Sequence, residues 1–250
     1  MSQPIIISIE GNIGTGKSTI VQELQKRYHN SQEIIFVKEP VDIWETIKDK
    51  DGRTIIEKFY ENQAQYAFQF QMMALTTRLS VLRKTIQENK LCKVVICERS
   101  IEADRNIFAK MLYDDGIISE IDYSIYNLLF KEYINQFNID GFVYINSTAE
   151  TCYNRVTKRS RTGENNIELS YLEKCKKYHD DWLCNLDRKE PMSKPVIEID
   201  TNEDTNYDMN DDNDPGNKWI QQIESFITSI TNDFDIRAHL PISESKNSVL

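Results

Sequence analysis

The chain has 250 residues, 40% hydrophobic and 28% charged, a composition that suits one sizeable globular domain over residues 1–235 followed by a disordered tail at 236–250. A formal net charge of −10 and a pI near 4.9 exclude a nucleic-acid-wrapping protein, because such a surface repels a phosphate polymer; a small anion met by a local basic cluster remains compatible. No apolar run approaches membrane-spanning length, and Met-Ser-Gln-Pro leads directly into the first strand without room for a targeting segment, so a cytoplasmic protein with no membrane partner is expected.

The first predicted strand, Ile5 to Ile9, runs into G-N-I-G-T-G-K-S at residues 11–18, a complete G-x-x-x-x-G-K-[ST] phosphate loop, and then into a helix over Ser18 to Tyr28. Strand, glycine turn and helix N-terminus aim successive N–H groups at one spot, so Gly11, Asn12, Ile13, Gly14, Thr15, Gly16, Lys17, Ser18 and Thr19 form the candidate cradle for a nucleoside triphosphate. Lys17 would neutralise the β- and γ-phosphates and Ser18 would hold Mg²⁺. A turn that is glycine-rich for geometry alone does not require Lys and Ser after its last glycine.

A second strand, Ile34 to Val37, ends near Glu39, and a long helical stretch over Arg53 to Asn89 carries Tyr66, Phe70, Met73, Thr77 and Val81 at three- and four-residue steps. The third strand, Lys93 to Cys97, ends in Glu98 and Arg99. Ligands of parallel sheets bind beyond the carboxyl ends of the strands. There, one carboxylate can accept a proton from an attacking hydroxyl, another can help hold a metal, and an arginine can steady the moving phosphoryl charge. After the fourth strand, Phe142 to Ile145, come Arg155, Lys158, Arg159 and Arg161 with Glu164 behind them: a solvated helix end, or, favoured beside a phosphate loop, an arginine-bearing lid. The fifth strand, Pro195 to Ile199, leads into Thr201 to Asn217, rich in Asp and Asn with little to bury, which reads as a solvated, mobile loop; EF-hand spacing is absent from it. Strands alternating with helices predict an α/β fold with a parallel sheet covered on both faces. Five cysteines without a C-x-x-C pair read as reduced, mostly packed thiols, and His29, His179 and His239 give little basis for a metal centre or a catalytic triad.

Six runs, I-E-G-N-I-G-T-G-K-S-T, K-E-P-V-D-I-W, F-Q-F-Q-M-M-A-L-T-T-R, C-E-R-S-I-E-A-D-R-N-I-F, T-C-Y-N-R-V-T-K-R-S-R and I-E-L-S-Y-L-E-K-C, together resemble the deoxynucleoside kinases, and among them the deoxycytidine/deoxyguanosine kinase branch. The resemblance extends from Ile5 to Glu203. It implies a P-loop kinase fold, a homodimer packed through long helices, and transfer of the γ-phosphoryl group of ATP or another triphosphate to the 5′-hydroxyl of a deoxynucleoside. Glu39 would then be the base, with Arg99 its partner and Glu98 beside Mg²⁺ with Ser18. Tyr60 and Glu164 would bind the sugar 3′-hydroxyl, Trp44, Tyr66, Phe70 and Phe108 would wall the sugar and base, and Gln71 would read the base edge. Arg155, Arg159 and Arg161 match lid arginines, and Glu203, Asp204 and Thr205 stand where relatives contact the donor's base; Thr205 replaces an aromatic common there, which leaves adenine stacking open. Arg78 and Asp104 match a pair that the resemblance assigns to selectivity for deoxycytidine and purine deoxynucleosides over thymidine. A nucleoside monophosphate kinase and a nucleotide-binding structural subunit are the rival expectations.

Overall fold

The computed structural model describes residues 3–134, 136–161, 163–184, 194–208, 211 and 213–238. Five strands, β1 (Ile5–Gly11), β2 (Ile34–Val37), β3 (Val94–Glu98), β4 (Gly141–Asn146) and β5 (Val196–Asp200), form one all-parallel sheet in the order β2-β3-β1-β4-β5. Each strand lies within two residues of its expected bounds. The central strands are nearly continuous apolar runs because helices cover both faces of the sheet.

One face takes α1 (Lys17–Arg27) and α10 (Pro215–Ala238), which pack Ile20, Val21, Leu24, Ile220 and Ile223 onto Ile7, Ile9, Val94 and Ile96. The other takes α4 (Gln63–Glu88), α7 (Glu120–Ile134) and α9 (Leu169–Leu183), which bring Leu75, Leu79, Tyr126 and Leu183 to Ile6, Val95 and Cys97. Strand alternation therefore decides where the polar side chains go. Ser8 and Glu10 follow Ile6 toward α4 and α9. Glu98 follows Ile96 toward α1.

The remaining helices are short and frame the sheet's carboxyl edge: α2 (Val41–Trp44), α3 (Ile55–Glu61), α5 (Ile101–Ala103) running through a π-helical turn at Asp104–Ala109 into α6 (Lys110–Asp114), and α8 (Ala149–Arg159), with a 3₁₀ turn at Glu164–Asn166.

Four expectations change. The stretch Arg53 to Asn89 is two helices, because Asn62 leaves helical geometry (φ −149°, ψ 83°), ends α3 and caps α4 by accepting from Gln65 N at 3.2 Å. The buried stripe of α4 is Ala67, Gln71, Ala74, Leu75, Arg78, Leu79 and Leu82, one residue round from the stripe through Tyr66, Met73 and Val81, whose members are half-buried. The acidic segment after β5 is tied down where it is described. Asp214 accepts from Thr205 Oγ1 at 2.5 Å and from Asn217 N at 3.3 Å, Asn217 donates to the carbonyls of Asp208 and Asp211, and Tyr207 packs edge-on against Trp219 at 6.2 Å. Asp214 thus caps α10, which starts at Pro215 inside the expected loop. At the other end α10 continues to Ala238, beyond the boundary placed at residue 235; residues 239–250 of the expected tail lie outside the described residues. Among the described residues, no helix is long and apolar enough to cross a membrane.

Candidate active site

The phosphate loop is shaped by its glycines and by what presses on it. Gly14 has φ +89°, and a Cβ there would stand 2.5 Å from the Cys152 carbonyl oxygen of α8; Gly16 has φ +93° with open space where its side chain would be. Gly16 caps α1 without a side-chain hydrogen bond, so first-turn N–H groups are left for an anion. Asn12 braces the loop by donating to the Leu172 carbonyl at 2.8 Å. Lys17 Nζ donates to the Asn12 carbonyl at 2.7 Å. Burial, and then the charge of Arg99, lowers the Lys17 pKa to about 7.

Beside this loop the ends of β2 and β3 meet. Glu98, turned toward α1 by alternation, accepts from Ser18 Oγ at 2.5 Å. Among the described residues no cluster of three or more His, Cys, Asp or Glu could hold a metal alone. One carboxylate and one hydroxyl at an anion loop are, however, the donors Mg²⁺ uses when substrate phosphates complete its shell, so the residues fit that ion. Glu39 Oε1 accepts from Arg78 Nη2 at 3.0 Å and from Arg99 Nε at 3.2 Å. Burial alone would raise its pKa, but Arg99, Arg78 and Lys17 outweigh burial and hold it below the ordinary carboxylate range. Arg99 has φ +64°, a left-handed conformation costing a non-glycine residue about 1–2 kcal/mol.

Opposite the loop is a cavity of about 770 Å³, counting space open to solvent. Lys17, Ser18, Glu39, Trp44, Tyr60, Phe70, Gln71, Arg78, Glu98, Arg99, Asp104, Phe108, Arg159, Arg161 and Glu164 all line it. Its apolar wall is an aromatic stack, Phe59 on Phe70 at 4.6 Å and Phe70 edge-on to Trp44 at 5.5 Å. Arg78 binds Asp104 through Nε at 2.9 Å and Nη2 at 3.2 Å. Burial opposes the Arg78 charge, but Asp104 and Glu39 prevail and raise its pKa. Gln71 is 2% exposed, and its Oε1 has no hydrogen-bond partner. Burial, and then the Glu164 charge, raises the Tyr60 phenol, which therefore stays a donor. Tyr66 is not part of the lining: it packs in the cluster of Phe59 and Leu112 with Lys58 over its ring.

The loop's outer side opens onto a second cleft lined by Gly14 to Thr19, Arg155, Arg159, Arg161, Thr201, Glu203, Asp204, Thr205, Tyr207 and Trp219. Arg155 is engaged with the β5–α10 segment, donating to the carbonyls of Thr201 at 2.8 Å and Glu203 at 2.9 Å and to Asp204 at 3.3 Å. Arg159 and Arg161 both pair with Glu164, linking the expected lid to the expected sugar site. Val41, Ile56, Phe59, Ala74 and Tyr171 also line the inner cavity, and Tyr207 and Trp219 the outer cleft, without having been singled out in the sequence. Tyr171 stands in the I-E-L-S-Y-L-E-K-C run that carried the resemblance, the one signal that could have found it.

A phosphate loop flanked on one side by a charged cleft and on the other by an aromatic-walled cavity that holds an ionised carboxylate defines a P-loop phosphotransferase with a small-molecule acceptor. The chain belongs to the deoxynucleoside kinase family, whose model matches residues 7–228. It is similar to deoxycytidine kinase 2 of Gallus gallus (33% identical, covering 89% of this chain and 90% of the relative) and to deoxycytidine kinase of Homo sapiens (30%, covering 90% and 91%). A mitochondrial deoxyguanosine kinase of Xenopus laevis is 27% identical, with 90% of each chain covered. The protein is thus an enzyme, a kinase of deoxynucleosides with a nucleotide phosphate donor.

Proposed function

We propose that this kinase transfers the γ-phosphoryl group of ATP or another nucleoside triphosphate to the 5′-hydroxyl of deoxycytidine or a purine deoxynucleoside, in preference to thymidine, as a step of nucleotide salvage. The observation that carries the preference is the buried Arg78–Asp104 pair beside the unpartnered Gln71 oxygen. Such a wall demands a hydrogen-bonding base edge and gives no apolar seat to a thymine methyl. That deoxycytidine kinases stand among the relatives supports the same choice.

In this reading the base lies between Gln71 and the aromatic stack, Tyr60 and Glu164 bind the sugar 3′-hydroxyl, and the 5′-hydroxyl meets Glu39. Both arginines occupy Oε1 of that carboxylate, which leaves Oε2 as acceptor for the hydroxyl proton. A carboxylate this acidic takes the proton late, which a loose phosphoryl-transfer transition state tolerates. Arg99 steadies the attacking oxygen and the transferring group, while Lys17, Arg159 and Arg161 bind phosphate charge. Ser18 and Glu98 would hold Mg²⁺, which when bound neutralises phosphate charge. A kcat/KM panel of the four natural deoxynucleosides with ATP and Mg²⁺ tests the proposal. Thymidine as best substrate would overturn the preference, and no turnover with any would favour a non-catalytic role.

The enzyme acts as a cytoplasmic homodimer in this proposal. Ile121 and Leu128 on one stripe of α7 are 73% and 72% exposed, with Ile125 between them, an apolar strip that a second copy can cover by symmetry. Light scattering is expected to give twice the chain mass, and Leu128→Glu to halve it; a monomeric wild-type protein would remove this part of the reading.

A further inference from the structure

Arg99 is held in place from a side that the reaction does not use. Its Nη1 donates to Nε2 of His179 at 3.4 Å, its Nε donates to Glu39, and its guanidinium lies 4.7 Å from the centre of the Phe108 ring. His179 is fully buried on α9, with its ring parallel to Tyr144 at 6.0 Å and edge-on to Phe108 at 6.3 Å. Its Nδ1 lies 2.6 Å from the Cys175 carbonyl oxygen. A carbonyl only accepts, so the proton is assigned to Nδ1 on the Cys175 carbonyl; Nε2, which faces the Arg99 guanidinium, then presents a lone pair, with the Gly11 backbone also beside the ring. Burial, and then the Arg99 charge, keeps the ring neutral. The backbone on either side of Arg99 is strapped too: Arg99 N donates to Ile9 O at 3.0 Å, and Ser100 gives its N–H and its hydroxyl to the buried Glu10 carboxylate at 2.9 and 2.6 Å.

We propose that His179 is a positioning residue for phosphoryl transfer: its Nε2 lone pair fixes the fork of the strained Arg99 so that the rest of the guanidinium faces the transfer point. The proposal rests on Arg99 acting at that point, as in the function proposed above. The left-handed backbone at Arg99 aims the side chain but leaves its own rotamers free. Glu39 takes one edge, and an acceptor on the opposite side is needed to hold the plane. Histidine is suited to this because one ring bonds its own helix through Nδ1 and offers an acceptor at Nε2, while its faces pack against aromatics.

The test is steady-state kinetics of Arg99→Lys, His179→Phe, His179→Gln and the Arg99→Lys/His179→Phe double variant, with melting temperatures for each. Phenylalanine keeps the ring packing and loses the acceptor, whereas glutamine carries an acceptor to the reach of Nε2. His179→Phe is expected to lower kcat about 10- to 30-fold with the nucleoside KM changed less than about threefold, and His179→Gln to recover most of that loss. On the Arg99→Lys background, His179→Phe is expected to lower kcat no more than about twofold further, because the partner is already gone. Wild-type kcat in His179→Phe, equal losses with Phe and Gln, or a full additional loss in the double variant would overturn the proposal. Arg99→Lys alone retaining wild-type kcat would instead sink the role given to Arg99. Should His179→Phe fail to fold, His179→Asn replaces it, since that side chain can still donate to Cys175 but is too short to reach Arg99.

Discussion

The two halves of the site are built on opposite plans. Asp104, on the inner side, has a side chain 3% exposed and is gripped twice by Arg78; Asp204, on the outer side, is 94% exposed and meets Arg155 at 3.3 Å. Apart from the Gln71 oxygen, the charged and aromatic side chains of the inner cavity are paired or stacked with one another before any substrate enters. The outer cleft consists of loop backbone and solvated charge beside the Tyr207–Trp219 ring pair. A buried, pre-paired wall discriminates, because a wrong base strands a charge or a polar oxygen away from water. Exposed charges attract any triphosphate and select weakly among them. In the proposed function, substrate choice therefore belongs to the inner half and donor grip to the outer one.

Glu39 lines the inner half beside Lys17 and Ser18, which line both, and its loss is the severest test. Glu39→Gln is expected to lower kcat about 10²- to 10⁴-fold, since it removes the proton acceptor and the charge that orders Arg78 and Arg99. A drop of only a few-fold in single-turnover measurements, with a folded protein, would take the base role from Glu39.

The inner wall comes next. Asp104→Ala leaves the buried Arg78 with Glu39 as its remaining carboxylate partner and is expected to destabilise the enzyme by about 3 kcal/mol, the low end for breaking a buried pair; adding Arg78→Leu is expected to recover part of that, because the half-paired buried cation is gone while Glu39 keeps Arg99. In the double variant the thymidine-to-deoxycytidine ratio of kcat/KM is expected to rise about 10- to 100-fold. An unchanged ratio would mean that the inner wall does not set the choice. Urea melts and the same substrate panel give both readouts.

The contrast between the halves also explains what could be read from the sequence. Residues 11–18 are contiguous and demand one local geometry, so the phosphate loop and its strand–loop–helix setting were plain. The inner cavity is gathered from α2, α3, α4, the π-helical turn and the 3₁₀ turn, and no spacing in the chain announces that Gln71, Asp104 and Glu164 meet. Those came through the family resemblance, which brought Tyr66 along although the structure leaves it outside. Apolar periodicity marks a stripe one residue off the buried face of α4, because the apolar flanking side chains outweigh the buried Gln71 and Arg78, which count as polar in such a pattern. His179 lies outside all six runs, and Glu10 stands in the first of them with nothing in the run to mark its partners. They matter through contacts made across 80 and 90 residues of sequence, on faces that only strand alternation and the packing of α9 bring together.

On the outer side the effects shrink. Thr205 occupies the position where an aromatic was expected, but Tyr207, turned by its φ of +54° and packed on Trp219, puts a ring in the same cleft. Tyr207→Ala is expected to raise the KM for ATP about five- to tenfold with kcat nearly unchanged, the size of one base–aromatic stack. An unchanged KM would mean that the donor's base does not meet this ring.

The smallest effect is a proton. With the site empty, the Lys17 pKa is about 7, against 10.5 in a free side chain, because burial and Arg99 disfavour its charge. Between those values the unfolded chain holds a proton on Lys17 that the folded chain has released. The unfolded state thus binds more protons, and this residue makes stability rise with pH across that window. A bound triphosphate reverses the local field and restores the ammonium. Binding a non-hydrolysable triphosphate at pH 8 is therefore expected to take up a fraction of a proton, measured by titration calorimetry in two buffers of different ionisation enthalpy. The uptake should vanish in Lys17→Met. Equal heats in both buffers for the wild-type protein would show that Lys17 is already charged in the empty site. The outer half would then be as fully prepared for its ligand as the inner one, and the contrast between them would fail at the residue where the phosphate arrives.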